Sequence, residues 1–217
     1  MEQVDRYIDS IDWVTLCLVG CLIMFTLAKY LYPKRFQEFI LLLFTNKYFL
    51  VHGKNDEIRH PFNLLLFIAQ VISVSLFIFL FIKKDSPQII QSNSWLFVQI
   101  CSGYIIFILI KFSIEKIIGE IFSIGTVVNN YLYQKLSYRN LLGILFFVGN
   151  IFFFYVIEPS INLLIGLVIS MVVINVLALF YSYRTNGKLI LSNFFYFILY
   201  LCALEISPYI ILYKALT

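Results

Sequence analysis

Charge is what this sequence has least of. Asp, Glu, Lys and Arg make up only 13% of its 217 residues, while apolar residues make up 61%. Soluble domains run at roughly 25% charged and about 45–50% apolar. A chain of this length folded in water still exposes much of its surface. The apolar excess therefore excludes a soluble globule, and with it a disordered tail or a collagen-like fibre. The nine glycines are scattered singly, so no glycine-rich loop is present to cradle a phosphate. Neither His-Glu-x-x-His nor Gly-x-Ser-x-Gly occurs, and His52 and His60 share one loop without companion ligands. Cys17, Cys21, Cys101 and Cys202 all fall inside apolar runs, with no Cys-x-x-Cys pair and no Cys/His cluster. They read as small core residues. No cofactor, no metal and no catalytic constellation is expected, and little chain remains outside the apolar runs to build a catalytic domain.

What is present is hydrocarbon-length helix. Crossing about 30 Å of hydrocarbon takes roughly 20 helical residues. Six runs qualify, near 12–32, 61–82, 95–114, 140–158, 160–183 and 190–213. They are continuous rather than alternating, so they read as helices, and residues 1–217 read as one integral-membrane domain. Punctuation agrees. Pro33 follows the first run, Pro61 opens the second, Pro159-Ser160 turns between the fourth and fifth, and Asn186-Gly187 precedes the sixth. The fold class expected is an all-α bundle of six transmembrane helices.

Basic residues alternate between the two sides. Lys29, Lys34, Arg35, Lys47, Lys54, Arg59, Lys111, Lys116, Lys135, Arg139, Arg184 and Lys188 fall on one side; Arg6, Lys83, Lys84 and Lys214 fall on the other. The positive-inside rule puts the twelve in the cytoplasm and both termini in the periplasm, in the inner membrane. This distribution follows the membrane instead of forming one basic face, so the net charge of +4 does not point to nucleic acid. Glu2, Asp5, Asp9 and Asp12 precede the first run, where a secretory signal would be basic, so an uncleaved first helix is expected.

Two cytoplasmic segments carry helical periodicity. In residues 34–50, Phe36, Phe39, Ile40, Leu43 and Phe44 share a face, too short to span, which suits an interfacial helix. In residues 111–135, Ile114, Ile117, Ile118, Ile121, Val128, Tyr131 and Leu132 recur at helical spacing around Gly125. There Lys111/Glu115 and Lys116/Glu120 are i, i+4 pairs, as on a solvated face. Lys111, Glu115, Lys116, Glu120, Lys135 and Arg139 are accordingly candidates for docking a partner or contacting lipid headgroups.

Counting from the cytoplasmic ends places Gln70, Asn150, Ser170, Asn175 and Tyr200 near the midplane. Scattered singly, such groups serve more often as ties between helices than as a cavity lining. Glu205, in Leu204-Glu205-Ile206-Ser207-Pro208, is a carboxylate inside a span and a candidate intramembrane site. It reads either as a neutral hydrogen-bond lock beside the kink that Pro208 imposes, or as a proton or cation site. Gly166 and Ser170 form a small-xxx-small pair able to pack two helices within or between chains.

The run from Phe194 to Pro208, closing with Leu212-Tyr213-Lys214, resembles the ending of the domain-of-unknown-function 4271 family. Residues 131–140 (YLYQKLSYRN) and 114–119 (IEKIIG) resemble its central segment, and Pro61-Phe62-Asn63 with Gln70 its second-span region. The resemblance covers nearly the whole chain. It implies a polytopic inner-membrane protein of Bacteroidota without established catalytic residues or cofactor, and by association a link to gliding or secretion.

The function expected is that of a non-enzymatic inner-membrane component, an accessory or assembly subunit of an envelope complex. Its partners would be the bilayer and other membrane proteins or further copies of itself. A small transporter or proton/cation-conducting protein using Glu205 is the alternative. An enzyme of lipid-linked substrates using the basic inner-leaflet residues is a third and weaker reading.

Overall fold

Lipid offers no partners to backbone N–H and C=O groups, so an apolar run in this solvent closes its hydrogen bonds within itself as helix. The computed structural model describes residues 12–43, 48–49, 60–93, 95–121 and 125–185, and no strand occurs among them. Helix α1 covers Asp12–Leu31, α2 Pro33–Ile40, α3 Pro61–Asp85, α4 Pro87–Ser92, α5 Leu96–Ile121, α6 Gly125–Ile151 and α7 Ile161–Thr185. A 3-10 turn, Leu41–Leu43, follows α2, and a π-helical turn, Phe152–Val156, follows α6.

Helix starts follow from local chemistry. Pro33, Pro61 and Pro87 each occupy a first helical position, where the missing N–H costs nothing. His60 caps α3, its Nδ1 accepting from the Phe62 N–H at 3.2 Å. Lys83 and Lys84 sit in the last turn of α3, where positive charge suits the helix dipole. Ser160 closes the start of α7 by accepting from Leu163 N–H.

Among the described residues, four helices are long and apolar enough to cross a membrane: Asp12–Leu31, Pro61–Asp85, Leu96–Ile121 and Val128–Val156. Ile161–Ile174 is a shorter apolar stretch within α7. The expected sixth run, 190–213, lies outside the described residues. Helix α3 is the hub, packing against α1, α5, α6 and α7. Its core forms three successive layers. Ala28, Phe39, Tyr48, Phe62, Leu66 and Tyr133 gather at one end. Val14, Leu18, Cys21, Ala69, Leu76 and Phe147 fill the middle. Phe77, Leu80, Phe153 and Leu164 fill the far end. Outward residues of α1 and α5, such as Leu16, Leu22, Ile106 and Ile117, are themselves apolar and exposed, as suits helices solvated by hydrocarbon.

The seam between α3 and α6 is closed by a glycine. A Cβ on Gly143 would lie 2.7 Å from the Cβ of Gln70 and 2.9 Å from its Cα. Gly119 plays the same part between α5 and α6, where a Cβ would meet Val128 at 2.9 Å.

Two expected segments look different in the structure. Residues 111–121 are the end of α5 and residues 125–135 the beginning of α6, so the periodicity of 111–135 belongs to two long helices instead of a separate surface element. Helix α2 turns Phe39 into the bundle, fully buried beside Phe62 at a centroid distance of 5.7 Å, while Ile40 stays exposed. Its apolar residues are thus split between the bundle and the outside. Phe44, expected on the same face, lies outside the described residues.

Candidate functional site

The polar end of the molecule is built from two helix faces. On α5, Tyr104, Ile108, Lys111 and Glu115 follow one another at intervals of four, three and four, so all point the same way. Ile108 and Glu115 are buried, and Tyr104 and Lys111 half-buried. On α6, Lys135 and Arg139 stand one turn apart. Lys135 Nζ donates to Glu115 Oε1 at 2.7 Å, joining the two helices. Glu115 keeps only 3% of its side chain exposed and Lys135 keeps 19%. The Lys135 ammonium also lies 5.3 Å from the ring centroid of Tyr131.

Arg139 sits where α3, α5 and α6 meet. Its guanidinium carbon lies 5.7 Å from the ring centroid of Phe67 on α3. Glu115 and Tyr104 are near enough to act on its charge. Its Nε has no hydrogen-bond partner among the described residues. Tyr104 is itself anchored, its hydroxyl accepting from Gln70 Nε2 at 2.6 Å.

A second cation approaches α6 from α2. Arg35 is 7% exposed, donates to the Tyr133 hydroxyl at 3.1 Å, and lies over Phe62 and Tyr48 at 5.4 and 6.0 Å. Tyr48 and Tyr133 stack with centroids 5.9 Å apart. Asn140, one residue beyond Arg139, is 1% exposed, and neither its Oδ1 nor its Nδ2 has a hydrogen-bond partner among the described residues.

Depth can be read along α6. About 20 helical residues cross the hydrocarbon. Counted back from Val156, the end of the apolar stretch, that length reaches Ser137. A span of that length ending at Val156 would have Lys135 and Arg139 on either side of its boundary at the basic end.

The six inner-end candidates do not form one cluster. Glu115, Lys135 and Arg139 come together. Lys111 is half-buried on the face of Glu115, Lys116 is half-buried, and Glu120 is exposed. The structure buries Glu115, which the i, i+4 spacing had placed on a solvated face, and the bridge that it makes to Lys135 crosses between helices. Among the midplane candidates, Gln70 and Asn150 are fully buried ties. Gln70 reaches α5, and Asn150 Nδ2 donates to the Ser73 carbonyl of α3 at 2.7 Å. Ser170 is exposed and donates back to Leu167 of its own helix at 2.7 Å. A Cβ at Gly166 would meet nothing within 4 Å, so the small-xxx-small pair has no neighbour among the described residues. Asn175 is carried by α7, and Tyr200 and Glu205 lie outside the described residues.

Tyr104, Arg35, Tyr133, Asn63 and Asn140 are not among the site residues expected from the sequence. Two signals were available: the three-turn spacing of Tyr104 and Glu115, and the adjacency of Asn140 to Arg139 at span depth. No curated protein and no solved structure matches this chain. One family model does, described as a domain of unknown function (DUF4271), over residues 14–216. Spanning nearly the whole chain, that match establishes that this helical protein belongs to the DUF4271 family.

Proposed function

We propose that the chain is a non-enzymatic integral protein of the inner membrane, with both termini on the periplasmic side, serving as an accessory or assembly subunit of an envelope complex. The observation that carries this reading is the use made of the buried amides. Gln70 binds Tyr104, Asn150 binds the Ser73 carbonyl, and Gly143 lets α6 close directly on Gln70. Polar groups used in this way tie helices together, which suits a rigid scaffold better than a path through the bundle.

Helix α2 supplies the partner surface. Phe39 and Arg35 fasten it to the bundle, while Lys34, Gln37, Ile40 and Leu41 remain exposed at the basic end. The bias of Lys and Arg toward that end supports a cytoplasmic placement for it.

The test is a photo-crosslinking residue at Gln37 in intact membranes. A discrete adduct heavier than the chain, lost with Lys34→Glu while the folded protein remains, supports the reading. Absence of any adduct, together with a monodisperse monomer after mild extraction, overturns it.

A further inference from the structure

Among the described residues, the junction of α3, α5 and α6 brings Lys135 and Arg139 to Glu115, with Lys111 half-buried on the same face of α5 as Glu115. Glu115 is committed to Lys135 at 2.7 Å, so among these residues positive charge exceeds negative. Phe67 covers one face of the guanidinium. A ring contact of this kind uses the face of the group and leaves its in-plane donors for other partners. Nε is buried without an acceptor among the described residues. Planar, paired donors on a rigid fork match the oxygens of a phosphate.

Position narrows the source of that phosphate. Counted back from Val156, Lys135 and Arg139 straddle the hydrocarbon boundary, the level at which lipid phosphates lie. On the face of α5 turned away from Glu115, Ile110, Ile114 and Ile117 are exposed and apolar, so the outer side of this helix suits hydrocarbon. A free phosphate ion would have to leave water to reach the same depth.

We propose that Arg139, with Lys135 beside it, binds the phosphodiester of an anionic phospholipid from the leaflet at the basic end. Arg139 is the anion receptor. Glu115 is the competing anion: paired with Lys135, it limits by its own charge how tightly the lipid is held. This inference stands apart from the proposed scaffold role, because a bound lipid requires no protein partner.

The experiment is native mass spectrometry of the full chain released from detergent, offered phosphatidylglycerol, phosphatidylcholine or inorganic phosphate. Phosphatidylglycerol should be retained about tenfold over phosphatidylcholine, the scale of one or two basic residues acting at a charged interface. Arg139→Gln should abolish that preference, and Arg139→Lys should keep part of it. Glu115→Gln should raise phosphatidylglycerol retention, because it removes the competing charge. Equal retention of the two lipids, or a preference that survives Arg139→Gln, overturns the proposal. Full displacement of phosphatidylglycerol by inorganic phosphate overturns the lipid assignment in favour of a soluble anion. Should Arg139→Gln fail to fold, Glu115→Gln decides the matter, since unchanged retention there overturns the proposal and increased retention supports it.

Discussion

The Cα of Gln70 lies 2.9 Å from the point that a Cβ on residue 143 would occupy, so the hub helix and α6 meet backbone to backbone at this level. Backbone cannot swing aside as a side chain can. Gly143→Ala should therefore lower stability by about 1–3 kcal/mol, the usual cost of overpacking a filled core. Gly103, where an added Cβ meets nothing within 4 Å, is the control. Gly103→Ala should be neutral or slightly stabilising, since alanine favours helix by up to about 1 kcal/mol. Thermal aggregation followed by size-exclusion fluorescence checks both, and equal melting of the two variants would refute the close approach.

Asn150 reaches across to a carbonyl already used within α3. Its bond to the Ser73 carbonyl is thus an added tie between helices, of the kind worth roughly 0.6 and at most about 2 kcal/mol in membranes. Asn150→Ala should reduce the melting temperature modestly without unfolding the protein. Asn150→Gln should not restore it, because the longer amide does not fit a fully buried site. Complete recovery with glutamine would count against this geometry.

The two ends of the Glu115–Lys135 bridge differ in exposure, 3% against 19% of each side chain. Lys135, deprived of its partner, can extend its long stem toward water. Glu115 has no such route. Lys135→Met should thus be the more damaging change, approaching the roughly 3–5 kcal/mol lost when a buried charge is stripped of its partner. Glu115→Gln should cost clearly less. The order of melting temperatures for these two variants is the measurement, and the reverse order would show that the bridge faces water.

Orientation has a direct test. Lys34 and Lys84 are both exposed and lie at opposite ends of the bundle. Single cysteines at these positions, in a background lacking Cys17, Cys21, Cys101 and Cys202, should label from opposite sides. Lys84→Cys should react with an impermeant maleimide in intact cells, and Lys34→Cys only after the inner membrane is opened. The converse pattern would invert the proposed topology.

How far the sequence could be read depended on whether a feature was local. The first run was expected at 12–32 and forms Asp12–Leu31; the second was expected from Pro61 and begins there, because proline at a first turn is a local signal. The third run was drawn to 114 because Lys111, Glu115 and Lys116 interrupt its hydropathy. The backbone continues as helix to Ile121, since a helix ends where its capping changes and not where lipid does. The fourth run is likewise drawn from 140, while the helix that carries it, α6, begins at Gly125. The π turn after Phe152 left no trace in the period. Within the site, Gln70 and Asn150 were legible as buried groups from depth alone. The bridge between Glu115 and Lys135 was not, because its residues are twenty apart on different helices and each already had a plausible local neighbour. Arg35 was read as one more inner-side charge. Its burial depends on Tyr133, ninety-eight residues away.

The amides of α3 also impose an order on biosynthesis. Gln70 finds its partner 34 residues later, at Tyr104, and the Ser73 carbonyl receives Asn150 only after 77 more residues have been made. At about 5–20 residues per second, the second interval lasts roughly 4–15 s. During that time the hub helix must wait beside the translocation machinery, or in the bilayer, with its tie to α6 unmade. The ribosome's pace, and any chaperone able to shelter a half-finished hub, is therefore part of what this fold requires.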